Sequence, residues 1–408
     1  MRPTESISTH MLLDYLVELG SSLMSSGCPT HRLEQLLMVI ARHEGFTADV
    51  FALPTGIFVG LRTPQGDPSA VSMVRVTDWA TDLEKMADLD ALLNQVIDRK
   101  LTIPDARARI KEIEKRPRRW PLPVRLLAGT GAASGAAVSS GGDWRDALLA
   151  GLGGLGLSAL TEMADSPGVR VLENFIGGVI AALVAWGATF LWPSHSRDLL
   201  VLSIIIPLLP GLTLTTGLSE VTYRNLVAGS ARLMHAAVTL LSLVFGIALV
   251  VNLESSLGFH STAPIPTEPA SLPLQLVALV IATVSFGVLL KVPVKQLPTA
   301  VVAGAMTWGM SQATRHLNGA HAAFLAALVL AVGANLYARF TSKPAQLFLL
   351  PGLLILVPGA LSFRSLDALL RGDYLAGANQ FADVLVTAGA LAMGLLVANV
   401  VAAPRKIL

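Results

Sequence analysis

"PLLPGLTLTTG" (residues 207–217) stands inside a run that holds no charged residue from Leu199 to Ser219. A helix needs about 20 apolar residues to cross a bilayer, so the run is long enough. Yet Pro210 removes an amide donor near its middle, Gly211 weakens the same turn, and Thr213, Thr215 and Thr216 bring hydroxyls. In hydrocarbon a freed backbone carbonyl is costly unless it lines a polar cavity or meets another helix. The stretch therefore reads as a membrane helix broken at its midpoint for a purpose.

Composition agrees with a chain that sits mostly in lipid. Of 408 residues, 53% are hydrophobic and 14% are charged. The mean hydropathy is +0.61. A soluble domain carries about 25% charge. A net charge of +2 is too small to point to nucleic acid. The lone Cys28 excludes an intrachain disulfide and reads as a small buried side chain. Residues 1–20 contain Glu5, Asp14 and Glu18 and do not read as a secretory signal.

The chain divides near residue 120. The predicted fold is a mainly α-helical polytopic membrane protein behind a small α+β cytosolic domain (1–120). Ten predicted spans cover about 122–142, 146–162, 172–194, 199–219, 232–253, 270–290, 296–314, 320–339, 344–363 and 383–403. They form a first five-helix repeat (121–255), an outward loop (256–269) and a second five-helix repeat (270–408). The basic cluster "KEIEKRPRRWPLPVR" (111–125) places residues 1–120 in the cytoplasm. Lys291 and Lys295, Arg339 and Lys343, and Arg405 and Lys406 then fall on the same side, as does the C-terminus. Arg364 and Arg371 run against the rule.

"LLPGLLILVPG" (349–359) repeats the opening stretch. Pro210-Gly211 and Pro358-Gly359 lie 148 residues apart, as do Gly229 and Gly377. With five spans per unit the second must enter from the opposite side, the inverted plan of many secondary transporters. Two broken helices would then face one another at the midplane and offer N–H groups and carbonyls to a zwitterion. The candidate binding residues are Pro210, Gly211, Thr213, Thr215, Thr216, Pro351, Gly352, Pro358 and Gly359, with Asn335 as substrate contact or interhelical hydrogen bond. For Pro351 by itself a packing kink is the preferred reading.

"IPLLPGLTLTTGLSEVTYRNLVAGSARL" (206–233) and "LLPGLLILVPGALSF" (349–363) resemble the two membrane signatures of the bacterial threonine/serine exporter family. "GCPTHRLEQLLMVIARHEG" (27–45) followed by "FALPTGIFVGL" (51–61) resembles its cytosolic opening segment. The resemblance implies proton-coupled, secondary-active export of threonine and serine across the bacterial inner membrane, with no cofactor or metal and no catalytic residue. Relatives split into two chains are associated with dicarboxylate export, so a dicarboxylate exporter is the alternative. The implied partners are the small-molecule substrate, protons and the lipid bilayer; a homo-oligomer is left open.

In the cytosolic segment, 8–26 reads as an amphipathic helix, and Thr30 can cap the next one. Strands follow over 48–61 and 70–77, with a turn at Pro54-Thr55-Gly56, and helices over 81–98 and 104–116. His31 and Glu34 share a helix face and could make a membrane-anchored hydrolase, but two ligands are no site, and a structural or regulatory cap is preferred. Arg32 is the more natural anion binder or partner of an acid. His235 and its 148-shifted counterpart Asp383 are candidates to carry a coupling proton, with Glu220 as a third. Glu220, Tyr223, Arg224 and Asn225 would form a cytosolic vestibule, and Glu162 is expected to be solvated. A channel would want a continuous polar stripe, which these clustered groups do not form.

Overall fold

The computed structural model describes residues 8–62, 68–77, 80–164, 167–192, 196–258, 270–356, 359–370 and 372–402. In the N-terminal domain, Ser8 caps α1 (Thr9–Ser25) by accepting from the Met11 N–H at 3.2 Å. Leu12, Leu16, Leu19 and Leu23 fall at helical spacing and bury. Gly27 turns the chain at φ +94°, a conformation that favours glycine, and α2 (Thr30–His43) follows. Pro29 occupies the N-cap and makes no side-chain cap, so Thr30 is the first helical residue rather than the cap. The strand stretch 48–61 resolves into a hairpin, β1 (Thr47–Leu53) and β2 (Gly56–Arg62) around Pro54-Thr55. β3 (Pro68–Arg75) completes an antiparallel sheet of order β1-β2-β3. α3 (Leu83–Ile97) and α4 (Ile103–Lys115) close the domain.

The domain is seated on the helical bundle. Leu290, Val292 and Leu347 of the bundle belong to the same apolar cluster as Leu12, Leu33 and Leu83. The Leu83 N–H donates to the Leu290 carbonyl at 3.1 Å, and Lys291 pairs with Asp82 at 3.0 Å.

The bundle contains α5 (Leu122–Ser139), α6 (Trp144–Met163), α7 (Pro167–Leu191), α8 (Arg197–Ile205), α9 (Gly211–Thr222) and α10 (Leu226–Ser256). It continues with α11 (Leu272–Leu289), α12 (Leu297–Ala313), α13 (Gly319–Thr341), α14 (Gln346–Leu356), α15 (Gly359–Leu370) and α16 (Tyr374–Val401). Among the described residues six stretches are long and apolar enough to cross a membrane, and a seventh if α8 and α9 count as one bent span. Ten spans are not reached on that measure. α12 stops at 17 residues, and α5 and α6 hold so much Gly, Ala and Ser that their hydropathy is low.

Those small residues serve close helix packing. A Cβ added at Gly154 would lie 2.5 Å from the Gly129 carbonyl, and one at Gly135 would lie 2.7 Å from Ala282 Cβ. The first contact joins α5 to α6 and the second joins α5 to α11. α7 and α10 approach as closely, with a Cβ at Gly246 falling 2.2 Å from the Phe175 carbonyl. Glu162 is not simply solvated, because it pairs with Arg118 and with Arg125 Nε at 2.7 Å.

The predicted fourth helix is broken. A 3₁₀ turn (Ile206–Leu208) follows α8, Pro210 stands at the N-cap of α9, and the two segments diverge by 57°. Its counterpart is described as α14 and α15, on either side of residues 357–358, which lie outside the described residues, with Pro351 inside α14.

These contacts make the glycines testable. Gly246→Ala should destabilise the protein by ~1–3 kcal/mol, since its methyl meets backbone. Gly187→Ala, with nothing within 4 Å of its Cβ, should change little. Thermal melting in detergent checks both.

Candidate functional site

The break between α8 and α9 lies against the start of α15. A Cβ at Gly359 would stand 3.0 Å from Leu209 Cβ and 3.8 Å from Gly211 Cα. Pro358 lies outside the described residues. Thr215 is buried and its hydroxyl donates back to the Gly211 carbonyl, one turn earlier in α9, at 3.1 Å. Thr213 and Thr216 are half-buried on α9. Pro351 and Gly352 sit in the body of α14. A Cβ at Gly352 would meet Leu330 at 2.5 Å and Ala303 at 3.2 Å, which is helix packing against α13 and α12.

Below the first break, α9 ends in a polar cluster that joins the N-terminal domain. Glu220 has no exposed surface and lies in the last turn of α9, where the helix dipole repels a carboxylate. Its charge is compensated on both oxygens. Arg232 Nε donates to Oε2 at 2.9 Å, while the Thr30 N–H and the Thr30 hydroxyl both donate to Oε1 at 2.9 Å. Asn225 Nδ2 donates to Thr30 Oγ1 at 3.3 Å and to Glu34 Oε2 at 3.0 Å. Glu34 Oε1 accepts in turn from the Ala52 N–H at 2.9 Å. The His31 ring stacks on Tyr223, with centroids 4.1 Å apart. A further chain leads into the bundle. Asn335 Nδ2 donates to Asn399 Oδ1 at 3.0 Å, and Asn399 Nδ2 donates to the Tyr223 hydroxyl at 3.1 Å.

The structure thus brings Glu220, Tyr223 and Asn225 together with Thr30, His31 and Glu34, and gives Asn335 an interhelical partner. Among the described residues Arg32 pairs with no acid, and its Nη1, like His31 Nδ1, is buried without a hydrogen-bond partner. His235 and Asp383 are not drawn in; both lie exposed on the outer faces of α10 and α16. Among the described residues no three His, Cys, Asp or Glu side chains are grouped to hold a metal ion. Arg232 and Asn399 are participants that sequence reading missed; Arg232 lies inside the signature stretch 206–233 but was given no role, and Asn399 is one polar residue in an apolar span with no motif around it.

At the opposite end of the bundle lies a cavity of about 460 Å³ between α8, α10, α15 and α16. Arg197, Asp198, Phe363, Asp367 and Gln380 line it, and Arg197 pairs with Glu254.

Burial, and then the positive charges of Arg32 and Arg232, lower the His31 pKa from 6.5 to about 3. The seated ring is therefore neutral, whereas a released ring titrates near 6.5. His31 supports the seated domain fully above pH 6.5, and this support is lost progressively as pH falls towards 3. Melting temperature should drop between pH 7.5 and 5, with a shallower slope in His31→Gln.

Residues 14–254 match a family model for threonine/serine exporters, and residues 275–401 match a second, described as "Threonine/Serine exporter, ThrE". A Mycobacterium tuberculosis protein named "Probable threonine/serine exporter" is 24% identical, over 98% of this chain and 78% of the relative. The Corynebacterium glutamicum "Threonine/serine exporter" is 25% identical, over 96% of this chain and 82% of its own length. A Debaryomyces hansenii "Pheromone-regulated membrane protein 10" is 24% identical, but this chain spans only 39% of it. No solved structure matches the chain. A broken helix in the first half, a seated N-terminal domain and family matches along most of the chain agree: the protein belongs to the threonine/serine exporter family.

Proposed function

We propose that this chain exports threonine, serine and related small hydroxylated amino acids across the bacterial inner membrane, by a proton-coupled secondary-active mechanism. The N-terminal domain and the C-terminus face the cytoplasm, and ten helical passes form two inverted five-pass halves with the substrate site where the two breaks meet. One observation carries this reading: contacts in the first half recur 148 residues later. A Cβ at Gly229 would lie 2.9 Å from the Val221 nitrogen, and one at Gly377 would lie 3.0 Å from that of Leu369. Gly246 and Gly394 each face a backbone carbonyl of the neighbouring helix, at 2.2 and 2.6 Å. Gly211 and Gly359 open the two segments after the breaks. Two like halves around one point provide two alternative access paths to it.

At that point Thr213 and Thr216 supply hydroxyls for a substrate, and the paired breaks supply backbone groups for its charged ends. The proton is assigned to Glu220, which lies inside the polar cluster; His235 and Asp383 face outward.

Counterflow of labelled L-serine in proteoliposomes, against a panel of amino acids and dicarboxylates, tests the reading. A carrier shows trans-acceleration by serine and threonine, whereas acceleration by dicarboxylates alone would move the assignment to that class. Gly359→Leu should abolish all transport while the protein stays folded. Thr213→Val or Thr216→Val should weaken serine and threonine transport by about 5- to 150-fold and spare alanine, the range set by a missing buried hydrogen-bond partner.

A further inference from the structure

Thr30 shows the bundle two donors, its N–H and its hydroxyl, separated by the Cα–Cβ bond and converging on one oxygen of Glu220, each at 2.9 Å. A free serine or threonine carries the same pair, with an ammonium in place of the amide. Resting on the exporter reading, we propose that Glu220 with Asn225 is a loading site for amino acids that bear a β-hydroxyl, and that Thr30 fills it as a tethered surrogate until substrate displaces the N-terminal domain.

The chemistry favours exchange. An ammonium makes charge-assisted hydrogen bonds to the carboxylate, stronger than those of a neutral amide. The hydroxyl keeps its second partner, because Asn225 Nδ2 already lies 3.3 Å from Thr30 Oγ1. Alanine would leave that donor and the carboxylate short of a partner. The seated domain also carries a cost of its own, since Arg32 Nη1 is buried with no partner. Burying an uncompensated charge opposes docking, which keeps the contact releasable.

The far end of the bundle shows what the site lacks there. Residues 148 positions on from Glu220, Asn225 and Arg232 are Ala368, Asp373 and Gln380, and these line the open 460 Å³ cavity. Glu220's own position is taken by alanine there, and the carboxylates of that cavity, Asp198, Asp367 and Asp373, stand at other positions.

Cys28 reports on the contact. It is the single cysteine, fully buried two residues before Thr30, and burial pushes its thiol up to about 12. In nanodiscs, where both faces are accessible, N-ethylmaleimide should label Cys28 of the full-length protein slowly. Saturating L-serine or L-threonine should accelerate labelling by about tenfold, and L-alanine far less. Thr30→Val should label fast without substrate, Thr30→Ser should behave as wild type, and Glu220→Gln should lose the response to serine. Labelling indifferent to serine, equal acceleration by alanine, or a Thr30→Val rate no faster than wild type would overturn the proposal. Serine counterflow, measured separately, distinguishes the two readings. Counterflow without a labelling response removes the loading site and leaves the exporter; a labelling response without counterflow does the reverse.

Discussion

A carboxylate with no exposed surface, at the end of a helix whose dipole repels it, governs how this molecule is assembled. Glu220 is tolerable only because Arg232 and Thr30 saturate both its oxygens. Removing Arg232 would leave an unpaired buried charge, a cost of about 3–5 kcal/mol in comparable sites, whereas removing Thr30 would leave one oxygen without its donors. The N-terminal domain is therefore part of the electrostatic solution for α9, the segment that follows the first break. Asn225 and Glu34 extend the same solution to β1, and Tyr223, Asn399 and Asn335 extend it across to α13.

The rest of the bundle is arranged so that this point can exist at depth. Lipid offers helices no hydrophobic reason to associate, so close van der Waals contact must hold them together. Gly129, Gly135 and Gly154 bring α5 against α6 and α11, and Gly246 brings α10 against α7. The scaffold these contacts make surrounds the break between α8 and α9. There the Thr215 hydroxyl bonds back to the Gly211 carbonyl within α9, just after a bend of 57°.

A few glycine contacts recur 148 residues on, but the polar groups beside them do not. Glycines that set helix approach recur at the same separation, whereas Glu220 and Arg232 correspond to Ala368 and Gln380. Backbone approach is common to both halves because both must pack. The polar groups differ because one end meets a folded domain and the other borders an open cavity.

Much of this was legible in the residues themselves. Charge-free runs and the Pro210-Gly211 pair determined where helices run and where one must break, because proline cannot donate and lipid cannot replace the bond. The hairpin at Pro54-Thr55 and the buried stripe of α1 followed from periods of two and 3.6. What the sequence could not state was which face of each membrane helix points inward. Lipid is as apolar as a protein core, so hydropathy carries no such sign, and His235 and Asp383 fell on the outer side. Nor could it pair Thr30 with Glu220 or Asn335 with Asn399. Those partners lie 190 and 64 residues apart, joined by no motif, and meet only when the bundle closes.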